Sequence, residues 1–291
     1  MTHMNTHSKT AVHHFQTLFG IFGWPAHHSL SPVMHNAAFH ALSLPYQYVA
    51  FEVAPEHLPD AVRAIRALGF GGVNVTIPHK QAVIPLLHAV DARAERIGAV
   101  NTIAVADGRF IGHNTDGEGF LRSLLEAGVD PVARPVVLLG AGGAALGVAD
   151  ALLDRGVSDL SIRARSLEKI APVAARLTAA HPAARITTAT LASPLPPSPI
   201  LLINATPLGM NPEDALPCAI ESVGPASVVA DLVYGPNETP LLTEAKRRGA
   251  TVVPGLGMLL HQGAMAFEIW TDRPAPLAVM RAALMQALRQ T

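Results

Sequence analysis

The residues best suited to chemistry are one lysine, one acid and a set of amides and hydroxyls gathered at strand ends and helix starts. Lys80 follows Asn74-Val75-Thr76-Ile77-Pro78. In that run Asn74 and Thr76 alternate with apolar Val73, Val75 and Ile77, so the polar pair shares one face while the others feed a core. A core strand gains nothing from two polar positions on one face unless they bind something. Asp116 ends His113-Asn114-Thr115-Asp116 and can hold the Lys80 ammonium while leaving it a proton to give. An ammonium set against a carbonyl, opposite a hydride donor, is what reduction of a ketone to an alcohol requires, and the same amine takes the proton back in reverse. Burial lowers a lysine pKa and a carboxylate neighbour raises it, so the balance stays open. The bland alternative is a solvated lysine at a helix start.

Ser29 and Ser31 flank Leu30 just ahead of Pro32. Two hydroxyls before a helix start suit a carboxylate, although helix capping explains Ser31 equally well. Asn101-Thr102 and Gln262 complete the polar clusters. His27, His28 and His35 lack an acid or thiolate at ligand spacing, as do His3, His7, His13 and His14, so no metal site is expected.

A hydride donor needs a place to bind, and Val136 to Gly147 (VVLLGAGGAALG) supplies it. Four apolar residues read as a buried strand that runs through glycines into a helix. Gly140 permits the tight turn, Gly142 lets backbone approach a pyrophosphate, and Ala145 keeps the helix against the sheet. The exposed amides of the helix N-terminus then face the phosphates. About 20 residues on, where such units place the group that reads the ribose 2′ position, stand Arg163, Arg165 and Ser166 in place of an acid. Cationic donors suit a 2′-phosphate, which favours NADP over NAD. The alternative is that both arginines are solvated charges.

These groups must be positioned by alternating strands and helices. Strands are expected at 18–23, 46–53 and 72–77, with helices from Ser31-Pro32 to about Ala41, over 56–68, and from Pro78 through Lys80. Residues 98–105 and 109–113 form a hairpin about Asp107-Gly108. Residues 118–127 are helical. Strands at 136–139, 159–164, 185–189, 200–204, 228–232 and 250–253 alternate with helices, which means a parallel sheet covered on both faces. Helices at 255–269 and 274–290 close the chain.

At 291 residues, 49% of them hydrophobic and 15% charged, the chain suffices for two packed domains. A net charge of −1 gives no reason to expect nucleic acid or membrane as partner, and the partner is expected to be a small-molecule substrate. The single cysteine, Cys218, excludes an intramolecular disulfide, and the start lacks a signal-peptide apolar run, so a cytoplasmic location is expected. A homodimer is admitted but not implied.

HSLSPVMHN, NVTIPHK, GAVNT, GHNTDG, GAGGA, NATPLGM, DLVYGPNETPLL and GLGMLLHQGAMAFEIW occur in this order between Phe19 and Trp270. In these motifs the chain resembles the shikimate dehydrogenase family, which reduces 3-dehydroshikimate to shikimate with NADPH on the route to chorismate and aromatic amino acids. The resemblance implies an α/β protein of two domains. One is a substrate-binding domain with a mixed sheet, over 18–115 plus 256–291. The other is a Rossmann-like NADP-binding domain with a parallel sheet, over 116–255, and 1–17 is left as a flexible leader. It further implies that Ser29 and Ser31 bind the substrate carboxylate and that Thr76, Asn101, Asp116, Tyr234 and Gln262 surround its ring. Lys80 is then the acid/base, Gly140, Ala141, Gly142, Gly143 and Ala144 hold the pyrophosphate, and Leu232 and Gly255 line the nicotinamide side. Where relatives carry Asn-Arg-Thr at the 2′-phosphate, this chain has Ala164, Arg165 and Ser166. A quinate/shikimate dehydrogenase with relaxed NAD/NADP use and a non-catalytic nucleotide-binding sensor are the alternatives.

Overall fold

The structure is a computed structural model and describes residues 17–211 and 213–290. The histidine-rich start, His3 to His14, lies outside the described residues. In the first half, β1 (Thr17–Gly23), α1 (Ser31–Ala41), β2 (Tyr46–Glu52), α2 (Leu58–Ala67) and β3 (Phe70–Val75) alternate. They are followed by β4 (Ala89–Val90), α3 (Ala92–Ile97), the hairpin β5 (Thr102–Ala106) and β6 (Arg109–His113), and α4 (Asp116–Glu126). The second half runs β7 (Val136–Leu139), α5 (Gly143–Asp154), β8 (Asp159–Ala164), α6 (Leu167–Ala180), β9 (Arg185–Thr190), β10 (Leu201–Asn204), β11 (Val228–Asp231), α7 (Pro240–Arg247) and β12 (Thr251–Val253). Helices α8 (Leu256–Thr271) and α9 (Leu277–Leu288) end the chain.

Two six-stranded sheets result, in the orders β2-β1-β3-β5-β6-β4 and β12-β11-β10-β7-β8-β9. The first is mixed: β1 runs parallel to β2 and β3, while β3-β5 and β5-β6 are antiparallel. The second is parallel throughout. Strand alternation splits its apolar residues between two cores. Val136, Leu138, Leu201 and Ile203 face α4 and α5, while Val137, Leu139 and Leu202 face Leu241 and Leu242 of α7. In the mixed sheet Val73 and Val75 face α2, and Phe19 and Ile21 face α1 and Phe267 of α8. Helix α8 therefore returns from the parallel half to cover the mixed sheet.

Three readings need correction. Pro78 begins a run of turns rather than a helix, because the carbonyl of Lys80 is taken by the amide of Val100 and not by a following turn of helix. Thr17, assigned to the leader, is the first residue of β1, paired with Tyr46. Helix α3 was not expected, although both its signals are present: Asp91 accepts from the Ala94 amide at 2.7 Å, and Gly98 stops it at φ 71°. Among the described residues no helix is long and apolar enough to cross a membrane.

Candidate active site

Lys80 Nζ donates to Asp116 Oδ2 at 2.5 Å, and the side chains are only 14% and 5% exposed. Asp116 is the first residue of α4, where the helix dipole favours a carboxylate. Its amide donates to Asn114 Oδ1 at 3.1 Å, and its other oxygen accepts from Asn101 Nδ2 at 2.9 Å. Asn101 is itself fixed: its Oδ1 accepts from the Thr115 amide at 2.8 Å and from the Thr102 hydroxyl at 3.0 Å. The far end of Asn101 reaches Gln262 Oε1 at 3.5 Å, so α8 contributes to the same cluster. The ion pair is thus held from three elements, with both carboxylate oxygens occupied.

A second polar group continues from the first through the strands. Asn74 on β3 lies opposite Thr102 on β5 and donates to its hydroxyl at 3.0 Å. Its Oδ1 accepts from Tyr48 Oη at 2.7 Å. Tyr48, on β2 and almost fully buried, was missed from sequence. Its signal was available: a buried tyrosine needs a partner for its hydroxyl, and the chain has only three tyrosines. The Ser31 hydroxyl and the Tyr234 ring stand beside the same phenol, and burial pushes both phenols up from their usual pKa. Ser29 Oγ accepts from the Ser31 amide at 3.3 Å. Thr76 lies one residue past β3, its amide on the Phe22 carbonyl, so only Asn74 of the expected pair sits within the strand.

The glycine turn lies directly against the lysine. Gly140 has φ 117°, which only glycine adopts readily, and a β-carbon there would meet the Ala205 carbonyl at 2.7 Å. Gly142 caps α5 with open space where a side chain would be, so the helix-start amides are accessible to an anion. A β-carbon on Gly143 would sit 3.2 Å from Lys80 Cβ and 3.3 Å from its Cδ. The amine, the acid and the anion-binding turn therefore converge, although the first lies in one half of the chain and the last in the other. Gly255 packs on the carbonyls of Leu232 and Val233.

Arg163 does not sit as a free phosphate donor. Its buried guanidinium donates to the carbonyls of Ser193 at 2.5 Å and Pro194 at 3.1 Å, so it ties the loop after β9 to the end of β8. Arg165 is exposed, and Ser166 stands at the start of α6. Those two remain as cationic and hydroxyl donors at the strand end where a doubly wound sheet takes the ribose.

A glycine turn between the first strand and helix of a parallel sheet, with a buried lysine–aspartate pair beside it, defines a nicotinamide-dependent dehydrogenase. Residues 21–103 match the family model for the shikimate dehydrogenase substrate binding domain, and residues 255–285 match that for the shikimate 5′-dehydrogenase C-terminal domain. The shikimate dehydrogenase (NADP(+)) of Moorella thermoacetica is 48% identical over 276 residues, covering 93% of each chain. Among solved structures, a shikimate dehydrogenase in complex with NADP+ superposes with a TM-score of 0.84 at 38% identity, covering 94% of this chain and 96% of that one. The shikimate 5-dehydrogenase of Thermus thermophilus in complex with NADP(H) and shikimate gives 0.82 at 36%, covering 93% and 99%. The chain belongs to the shikimate dehydrogenase family.

Proposed function

We propose that the chain catalyses the reversible NADPH-dependent reduction of 3-dehydroshikimate to shikimate, with Lys80 as acid/base. The observation that carries this is the 2.5 Å contact of Lys80 with Asp116, made while the lysine stem rests on the turn that would hold the cofactor pyrophosphate. Bound NADPH supplies the hydride. Lys80 gives a proton to the ketone oxygen as the carbon is reduced, and takes it back when shikimate is oxidised. Asp116 keeps the ammonium oriented, and Asn101 keeps Asp116 oriented. Burial of the pair limits competition from water.

Ser29 and Ser31, ahead of α1, receive the substrate carboxylate, and Asn74, Thr76, Asn101, Tyr234 and Gln262 surround the ring and its hydroxyls. Gly140 to Ala144 hold the pyrophosphate, Arg165 and Ser166 the 2′-phosphate, and Leu232 and Gly255 the nicotinamide side. The mixed-sheet part, 17–115 with 256–291, is the substrate domain, and 116–255 is the NADP domain. The reading places the protein in the cytoplasm, in the biosynthesis of chorismate and aromatic amino acids. A sensor without catalysis would have no use for the buried Lys80–Asp116 pair. The test is the nicotinamide absorbance on mixing the protein with shikimate and NADP, with quinate and NAD as the paired controls. Rates on quinate or with NAD equal to those on shikimate with NADP would move the reading to the relaxed dehydrogenase.

A further inference from the structure

The motifs NATPLGM and DLVYGPNETPLL hold three buried polar residues to which the proposed chemistry gives no role: Asn204, Asp231 and Thr239. Asn204 ends β10 and Asp231 ends β11, directly opposite each other in the parallel register. All three are buried. Asp231 Oδ1 accepts from Asn204 Nδ2 at 2.9 Å and from the Val233 amide at 3.0 Å, while Oδ2 accepts from the Thr239 hydroxyl at 2.7 Å. Asn204 Nδ2 also donates to the Leu208 carbonyl at 2.9 Å, and its Oδ1 accepts from the Thr206 amide and hydroxyl at 3.0 and 2.6 Å. The carboxylate thereby closes a loop from 231 to 239, and the amide closes the turn from 204 to 208.

What those two loops carry gives the staple its meaning. The Ala205 carbonyl fills the space left by the missing side chain of Gly140, so the 204–208 turn abuts the anion-binding turn. The 231–239 loop presents Leu232 against Gly255 and puts Tyr234 beside Tyr48. One buried knot thus sets the cofactor wall and the substrate wall relative to each other. Its oxygens and amide are fully engaged with the protein, so it does not itself meet a ligand. Burial pushes the Asp231 carboxyl up against three donors that hold it down, and an apolar filler would occupy the space at lower cost.

We propose that Asp231, Asn204 and Thr239 are positioning residues for hydride transfer, fixing the nicotinamide-side wall against the ring-binding Tyr234. This rests on the activity proposed above. The test uses the full chain with Thr239→Val, which keeps the shape and removes both the donor to Asp231 and the cap the hydroxyl gives the Leu242 amide at the start of α7, and Thr239→Ser, which keeps the hydroxyl for both. Rates are measured with shikimate and with shikimate deuterated at the carbinol carbon that is oxidised. The expected result for Thr239→Val is a fall in kcat of about tenfold to a hundredfold, the scale on which a misplaced reacting group loses rate. The deuterium isotope effect on kcat should rise, because hydride transfer becomes the slow step, and Thr239→Ser should stay within about twofold of wild type. Thr206→Ala, on the half-buried turn, gives a weaker version of the same isotope shift and serves if Thr239→Val does not fold. An unaltered isotope effect in the folded variant overturns the proposal, as does equal loss in the valine and serine variants. A wild-type chain inactive with shikimate and NADP fails the activity reading and this one together; an active wild type with an unaltered variant fails this one alone.

Discussion

The two sheets have the same number of strands and treat polar residues in opposite ways. In the parallel sheet β7 is apolar throughout, and β10 and β11 are buried at every position with polar side chains only at the last, Asn204 and Asp231. In the mixed sheet Asn74 sits inside β3, bonded across to Thr102 and Tyr48. The difference follows from what covers each sheet. Helices close both faces of a parallel sheet, so the interior positions of β7, β10 and β11 have no partner for a polar group and chemistry is driven to the carboxyl ends of those strands. The mixed sheet turns antiparallel at β3-β5, and side chains directly opposite can bond each other there. On the proposed function, one sheet would hold a ligand at its rim and the other would grip one along a face.

The strongest way to break this division is at the lysine that bridges it. Lys80→Met removes the proton donor while leaving the stem against Gly143. Turnover with shikimate should fall by about 10²- to 10⁴-fold. NADP affinity, followed by protein fluorescence, should be unchanged, since its proposed contacts lie on the other sheet. Retained turnover removes the acid/base role, and lost NADP binding shows that the lysine serves the cofactor side instead.

The seam between the halves comes next. A β-carbon on Gly117 would run into the carbonyl oxygen of Gly147, where α4 packs on α5. Gly117→Val should cost about 3 kcal/mol or more by denaturant midpoint, at the upper end for overpacking, because backbone rather than a side-chain tip is in the way. Gly142→Ala meets nothing within 4 Å, and its φ of −80° suits any residue. That variant should keep its stability to within about 1 kcal/mol and lose affinity for NADP. Equal stability losses in the two would mean that glycine is needed at Gly142 for folding too.

A smaller effect separates the gripping face from the apolar core behind it. His35 on α1 is fully buried, stacked on Tyr48 with ring centroids 4.5 Å apart, and neither ring nitrogen has a hydrogen-bond partner. Desolvation lowers its pKa from 6.5 to about 3. The unfolded chain thus takes up a proton below about pH 6.5 that the folded chain refuses until about pH 3. Stability is complete above that window and falls as pH drops through it, by up to about 1.4 kcal/mol per pH unit. Urea unfolding at pH 7 and pH 5 should show a drop of about 2 kcal/mol that His35→Phe largely abolishes. An equal drop in both proteins would assign the acid sensitivity to other groups.

Legibility from sequence followed the same division. In the parallel half β7, β10 and β11 were readable because apolar runs at strand length suit little besides a strand buried on both faces, and all six strands lie within about a residue of expectation. The lysine–aspartate pair was readable because few charges sit among apolar residues. What escaped was tertiary in origin. The Pro78 turn looks like a helix start until Val100 takes the Lys80 carbonyl. Tyr48 looks like any strand aromatic until its hydroxyl is seen to reach Asn74, two strands away. Arg163 and Arg165 are chemically alike in a sequence, and only the loop at Ser193-Pro194 distinguishes them.

That last distinction carries the smallest expected effect. Arg165 is exposed at the end of β8, whereas the Arg163 guanidinium is spent on two carbonyls. A charge-assisted contact to a phosphate is worth about 1.5 kcal/mol at the low end, which is roughly tenfold in affinity. Arg165→Ala should therefore raise KM for NADP about tenfold and leave KM for NAD unchanged, because NAD has no 2′-phosphate to lose. Arg163→Leu frees the Ser193–Pro194 carbonyls from their donor, so it should weaken both cofactors alike and lower the unfolding midpoint. If Arg163→Leu instead selects between NADP and NAD while Arg165→Ala does not, the side chain anchored in the loop reads the ribose, and the rim of the parallel sheet is built differently from the division drawn above.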